Sequence, residues 1–204
     1  MKPHLTLDIR ALPSYRFGHR SPLWWGTLGF IVIEGLGFIF AIAAYFYLQN
    51  QNPDWPLGRH PGLLWSSLFT VLLLLSEIPN TWTKRAAVAL DLGRVRVGLM
   101  MMSAVALLAI VIRVAEFTTL NVWWDSNAYG SALWVLLGLH TAHLLTDAFE
   151  TFVMAALAYI GPLDARRFPE VEDNQAYWDF VVLAWIPIYI TMYWAPRWAA
   201  GAVL

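Results

Sequence analysis

The chain has 204 residues, 59% of them apolar and 13% charged, against roughly 45–50% apolar and about 25% charged in an ordinary soluble domain. That surplus, with 12 Trp, 11 Phe, 8 Tyr and a net charge of −1, excludes disorder and points to a membrane. With 13 Lys and Arg against 14 Asp and Glu there is no basic surplus to grip phosphates, so nucleic acid is not an expected partner, and the lack of Cys excludes disulfides, thiolate catalysis, iron–sulfur clusters and Cys-ligated metals.

A bilayer core about 30 Å thick is crossed by about 20 apolar residues at about 1.5 Å each. Five such runs are predicted in chain order, at about 24–48, 62–80, 97–120, 129–160 and 177–198. They are separated by NQNPDWPLGRHP, TWTKRAAVALDLGR, NVWWDSNA and GPLDARRFPEVEDNQA, connectors too short to hold a further domain. The second run is the shortest and is expected to end at Pro79, whereas the fourth exceeds a perpendicular crossing and implies tilt or an extension. The expected fold is all-α: a polytopic membrane protein, one five-transmembrane-helix bundle over 1–204, without an internal repeat or low-complexity stretch.

Cations set the expected orientation, because Lys and Arg in short loops stay cytoplasmic. Lys2, Arg10, Arg16, Arg20, Lys84, Arg85, Arg94, Arg96, Arg166 and Arg167 fall on one side, and only Arg59 and Arg197 on the other. The N-terminus is therefore expected to be cytoplasmic and the C-terminus periplasmic. The first 23 residues have no apolar core of their own, so no cleavable signal is expected and the first span serves as its own insertion signal. Trp24–Trp25, Trp123–Trp124 and the group Tyr193, Trp194 and Trp198 are placed as interfacial anchors.

Ionisable residues inside spans are costly and mark function or partners. Glu34 lies about ten residues into the first span, ~15 Å deep, and His140 is equally deep from the other side, so the two are expected to be able to meet. Gly35 and Gly37 beside Glu34 permit close helix approach, and a lone carboxylate at that depth is a candidate for proton exchange as well as for a structural bond. His140, His143, Asp147 and Glu150 follow a 3-4-3 spacing that predicts one helical stripe. It reads as a polar face bonding other helices or a partner subunit, with a metal site as its alternative. Di-metal bundles need two Glu-x-x-His motifs on facing helices, and a haem needs axial His from opposite sides. Arg113 and Glu116 form an i,i+3 pair expected to neutralise each other, while Glu77 and Asp179 near span ends read as half-solvated.

Several segments together resemble subunit III of the haem–copper cytochrome c oxidases. GFIVIEGLGFIFAIAAYF is similar to the family's helix with a buried carboxylate, which implies that Glu34 is that residue. LLWSSLFTVLLLLSEIPNTWTKRA resembles its small-residue-rich helix, and RVAEF its Glu-plus-aromatic ending at Glu116 and Phe117. SNAYGSALWVLLGLHTAH carries Tyr129-Gly130-Ser131, Gly138, His140 and His143 in the order and spacing of the family's YGS…GxHxxH signature. YWDFVVLAWIPIYITMYW resembles its aromatic last helix, so the likeness covers about 24–198. The sequence departs at Asp179, where the family commonly has His, at Thr83 and Lys84, where His residues usually follow the second span, and at Asp147 and Glu150, usually apolar or small.

The resemblance implies an accessory, non-redox subunit in aerobic respiratory electron transport, in a multi-pass bacterial form that lacks two N-terminal helices. Haem and copper then belong to partner subunits I and II, and cytochrome c is reached only through the complex. It implies no cofactor or metal in this chain, a structural phospholipid in a cleft, and support of proton uptake by Glu34, His140, His143 and Glu116. Arg113, Asp147, Glu150 and Asp179 are expected at helix interfaces. A quinol oxidase or nitric oxide reductase component is an alternative within the superfamily. A free-standing membrane metalloenzyme using the His140–Glu150 stripe is an alternative outside it, and a small transporter is a third class, for which repeats and broken helices would be expected.

Overall fold

The computed structural model describes residues 22–161 and 168–201, and all regular structure among them is helical. Lys2, Arg10, Arg16, Arg20, Arg166, Arg167, His4 and His19 lie outside the described residues. The helices are α1 (Pro22–Gln51), α2 (Leu63–Val88), α3 (Leu92–Phe117), α4 (Ala128–Ile160) and α5 (Phe168–Tyr189), followed by a π-helical turn (Ile190–Trp194) and α6 (Ala195–Gly201). Among the described residues five helices are long and apolar enough to cross a membrane, the fifth counted as Phe168–Trp198.

α5 is the most enclosed element, touching α1, α2 and α4, while α3 packs on α2 and α4. α1 rests mainly against α4 and α5 and, among the described residues, buries only Phe38 and Tyr45. One end of the bundle holds the α2–α3 turn and the starts of α1 and α5. At the opposite end the loops bind one another: the Gly62 N–H donates to Thr119 O (2.9 Å), Asn127 Nδ2 to Leu57 O (2.8 Å) and Arg197 Nη2 to Pro61 O (2.7 Å).

Three expected boundaries change. α2 does not end at Pro79 but continues nine residues to Val88 with the proline inside it. A proline removes one helical N–H, and packed neighbours in a membrane tolerate that loss; here Asn80, Thr83, Ala86 and Ala87 are all buried beyond it. The expected 14-residue connector is thus only Ala89, Leu90 and Asp91. Asp91 N–H donates to Ala86 O and Leu90 N–H to Ala87 O, both 3.0 Å, with Leu90 left-handed at φ 58°. That is a Schellman ending built on Leu where glycine is usual, so no glycine marked it in the sequence. Asp91 then caps α3 by accepting from Arg94 N–H at 3.0 Å, and the helix starts at Leu92, five residues before the expected start.

The fifth helix likewise starts at Phe168, nine residues early, because the polar stretch EVEDNQ is helical and buries Asp173, Asn174 and Gln175. Further along, Pro187 lies inside α5 and the π-helical turn follows it. α4 starts within a residue of the expected position, capped by Asn127 accepting from Gly130 N–H at 2.8 Å. Trp25, Trp123, Trp124 and Trp198 are exposed, as anchors must be, but Tyr193 is fully buried and is no belt residue.

Candidate functional site

A helix rotates about 100° per residue, so side chains three apart on α4 diverge by about 60°. That rotation splits the expected stripe among partners. His140 turns toward α3 and α5: Arg113 Nη2 donates to its Nδ1 (2.9 Å), and its Nε2–H donates to the Val181 carbonyl (3.0 Å). These two bonds require the neutral Nε2–H tautomer. Glu34 therefore does not pair with His140; it pairs with His143, which turns toward α1.

His143 Nδ1–H donates to Leu139 O (2.6 Å), while its Nε2 lies 3.4 Å from Glu34 Oε1. A neutral imidazole with its proton on Nδ1 presents a lone pair at Nε2, which would face a carboxylate lone pair. The contact is an ion pair when the imidazole carries a second proton. Tyr177 OH donates to Glu34 Oε2 at 2.5 Å, and the Phe38 ring packs on His143 at 4.8 Å between centroids. Tyr177 is the member of this triad that burial arguments from the sequence missed. The signal available was that a buried carboxylate needs donors and that the facing helix carries few.

The centre of the bundle holds an ionic lock. Arg113 Nη1 donates to Glu116 Oε2 at 2.7 Å, with the two side chains 1% and 0% exposed. Tyr193 OH donates to Glu116 Oε1 at 2.5 Å, which explains its burial. The guanidinium carbon lies 3.7 Å above the Phe69 ring and 4.3 Å above Trp185. A planar, weakly hydrated cation suits this sandwich, since its faces stack while its edges donate. α2, α3, α4 and α5 meet at Arg113, and the π-helical turn joins them through Glu116.

The remaining candidates form a polar layer nearer the α2–α3 end. Asn174 Nδ2 donates to Asp147 Oδ1 (3.0 Å), and its own Oδ1 accepts from Thr151 Oγ1 (3.2 Å) and Gln175 Nε2 (3.1 Å). Asp179 Oδ1 accepts from Asn80 Nδ2 (2.5 Å), and Lys84 Nζ lies 3.4 Å from its Oδ2. Glu150 is exposed and faces a cavity between α1, α4 and α5 that Glu34 and Asp147 also line. The stripe thus does not converge on one donor set, and among the described residues no three His, Cys, Asp or Glu side chains are grouped to hold a metal ion. A second hollow of about 480 Å³ between α1 and α5 is lined by apolar residues including Phe38, Ile39, Ile42, Phe180 and Leu183.

Outside the spans, His60 is the group whose titration is displaced: partial burial, and then the nearby Arg197 cation, lower its pKa below the usual histidine range. It sits in the loop where Asn121 Nδ2 donates to its carbonyl at 3.0 Å.

A family model described as Cytochrome c oxidase subunit III matches residues 14–199. The Cytochrome c oxidase subunit 3 of Corynebacterium diphtheriae is 27% identical over 180 residues, covering 82% of this chain and 85% of that protein. The wheat protein of the same name, from Triticum aestivum, is 26% identical over 201 residues, 93% of this chain and 73% of its own length. The Cyanidium caldarium protein is 24% identical over 178 residues, and the chain spans 66% of that longer relative. A match across nearly the whole chain, on a bundle of five membrane-length helices, means that the chain belongs to the cytochrome c oxidase subunit III family.

Proposed function

We propose that the chain is the accessory, non-redox subunit III of a haem–copper terminal oxidase that takes electrons from cytochrome c. In this reading it stabilises the catalytic subunit and supports its proton uptake, while subunits I and II carry the haem and copper. The observation that carries the reading is the family match over residues 14–199. The lock around Arg113 supports it physically. A bundle with its Arg113–Glu116 pair buried inside and apolar side chains on its outer faces is suited to packing in lipid beside another membrane subunit.

The chain forms one membrane domain in a bacterial cytoplasmic membrane, with its N-terminus inside. Lys84, Arg85, Arg94 and Arg96 gathered around the α2–α3 turn support that orientation, and the Corynebacterium relative supports the bacterial setting. Glu34 lines a cavity between α1, α4 and α5 and lies beside His143, an arrangement suited to proton exchange, whereas His140, Arg113 and Glu116 are interlocked and hold the helices. The apolar hollow between α1 and α5 has the lining that phospholipid acyl chains require.

The test is to tag the chain, extract it in mild detergent, record a visible spectrum and identify the co-purified chains by mass. Haem bands with two larger oxidase subunits are expected, and Glu34→Gln is expected to leave the haem spectrum unchanged while slowing proton uptake. A colourless chain purifying alone, or loss of haem in Glu34→Gln, would overturn the reading.

A further inference from the structure

The Glu34 side chain keeps 17% of its surface open and borders the cavity of about 680 Å³ between α1, α4 and α5, so its carboxyl group has free space to turn into. It is nevertheless held to two fixed partners. Oε2 accepts from Tyr177 OH at 2.5 Å, and Oε1 lies 3.4 Å from His143 Nε2. The first distance is that of a charge-assisted bond between a hydroxyl and a carboxylate, roughly twice as strong as a neutral one. The second is too long to hold a side chain as free to rotate as Glu. Tyr177 is itself well fixed: it is 7% exposed, and its ring stacks on Phe30 at 6.1 Å and meets Phe180 at 5.6 Å. Phe30, Glu34 and Phe38 follow one another at four-residue steps on α1 and so share one face. Phe30 grips the Tyr177 ring, Glu34 takes its hydroxyl, and Phe38 packs on His143 at 4.8 Å. A tyrosine carries its donor on a rigid ring, so fixing the ring fixes the hydroxyl.

We propose that Tyr177 is the positioning residue of the Glu34 site, selecting the carboxyl rotamer that presents Oε1 to His143. It acts through Glu34: the hydroxyl takes Oε2, leaves Oε1 as the oxygen turned to the imidazole, and keeps the carboxyl group from swinging into the cavity. The inference rests on the reading of Glu34 and His143 as proton-exchanging groups. A proton passes between an imidazole nitrogen and a carboxyl oxygen at hydrogen-bond reach, about 2.6–3.2 Å, and the 3.4 Å contact lies just beyond it. A small closure completes that contact, whereas free rotation of Glu34 abolishes it. Tyr177 keeps its own proton throughout. Glu34→Gln removes the exchanging group, whereas Tyr177→Phe removes only its aim and leaves the ring between Phe30 and Phe180.

The test has two readouts. In the full chain in nanodiscs, with glutamate carrying a heavy carbon isotope in its side-chain carboxyl group, the Glu34 infrared band is the labelled band missing from Glu34→Gln. In the complex purified through the tagged chain, the rate of proton uptake is followed beside the haem spectrum. Tyr177→Phe is expected to shift the Glu34 band to that of a less strongly bonded carboxyl group and to slow proton uptake to the Glu34→Gln rate, with the haem spectrum unchanged. Tyr159→Phe, at an exposed tyrosine near the end of α4, should alter neither readout. Phe30 is 53% exposed, so Phe30→Ala keeps the fold and the Tyr177 hydroxyl but frees the ring; its band should shift the same way by less, and it decides the matter if Tyr177→Phe does not accumulate. An unchanged Glu34 band in both variants, or a shifted band with wild-type proton uptake, overturns the inference. A chain without haem-bearing partners sinks the oxidase reading whatever the band does, whereas an unchanged band in a haem-containing complex sinks only the role of Tyr177.

Discussion

Arg113 is the residue on which most of the interior depends. Its fork donates to Glu116 and His140 from one buried plane, and its faces lie against Phe69 and Trp185. A buried pair is weak support for stability as a unit, but removing one member strands the other. Arg113→Met is therefore expected to lower the unfolding free energy by about 3–5 kcal/mol, measured by denaturant titration in detergent. Arg113→Met/Glu116→Leu should be less harmful than the sum of the single changes, because no lone charge remains. Arg113→Lys should not restore stability, since an ammonium cannot stack between two rings while donating to both partners. Additive single effects would show that the two residues do not act as a pair.

At the scale of the helices, close packing turns on small residues in two different ways. A Cβ added at Gly98 on α3 would lie 2.2 Å from Thr83 Oγ1 and 2.8 Å from its Cγ2 on α2. Gly98→Ala is expected to cost about 1–3 kcal/mol by forcing the α2–α3 contact apart. Thr83→Ala in the same chain should return only part of that loss, because the Thr83 Cβ it keeps lies 2.9 Å from the new Cβ and the 2.7 Å bond from Thr83 Oγ1 to Pro79 O is given up. At Gly130 the new Cβ would meet the Trp123 backbone carbonyl at 2.1 Å. No single side-chain truncation can relieve a clash with backbone, so Gly130→Ala should remain destabilising in any partner background, including Val122→Ala. Thermal unfolding of the single and paired variants separates the two cases.

For the whole molecule, the alternation of helix ends makes orientation a single testable statement. The α1–α2 loop and the α2–α3 turn lie at opposite ends of the bundle, and Asp54 and Ala89 are exposed there. Because the chain has no Cys, a single introduced thiol reports without background. In intact bacterial spheroplasts, a membrane-impermeant maleimide is expected to label Asp54→Cys directly and Ala89→Cys only after permeabilisation, as the cation distribution requires. The reverse pattern would place the N-terminus outside and remove the support that orientation lends to cytoplasmic proton uptake. Lys84 and Asp179 lie 3.4 Å apart and tie α2 to α5.

The number of helices, their membrane character and the residues worth watching were readable from apolar run length, charge placement and motif order, since these are local properties of the chain. Helix ends were not, wherever the ending was unmarked. Pro79 looked like a stop although packing carried α2 past it, Leu90 took the place of the glycine that flags a Schellman turn, and the helical EVEDNQ stretch has no apolar signal. Pairing was the other thing hidden. Depth along each span suggested that Glu34 and His140 could meet, but depth is one coordinate. The rotation of each helix about its axis is fixed only when five helices settle against one another. That rotation gave Glu34 to His143 and Tyr177, and gave His140 to Arg113. It also left Asp147 Oδ2 buried without a hydrogen-bond partner among the described residues.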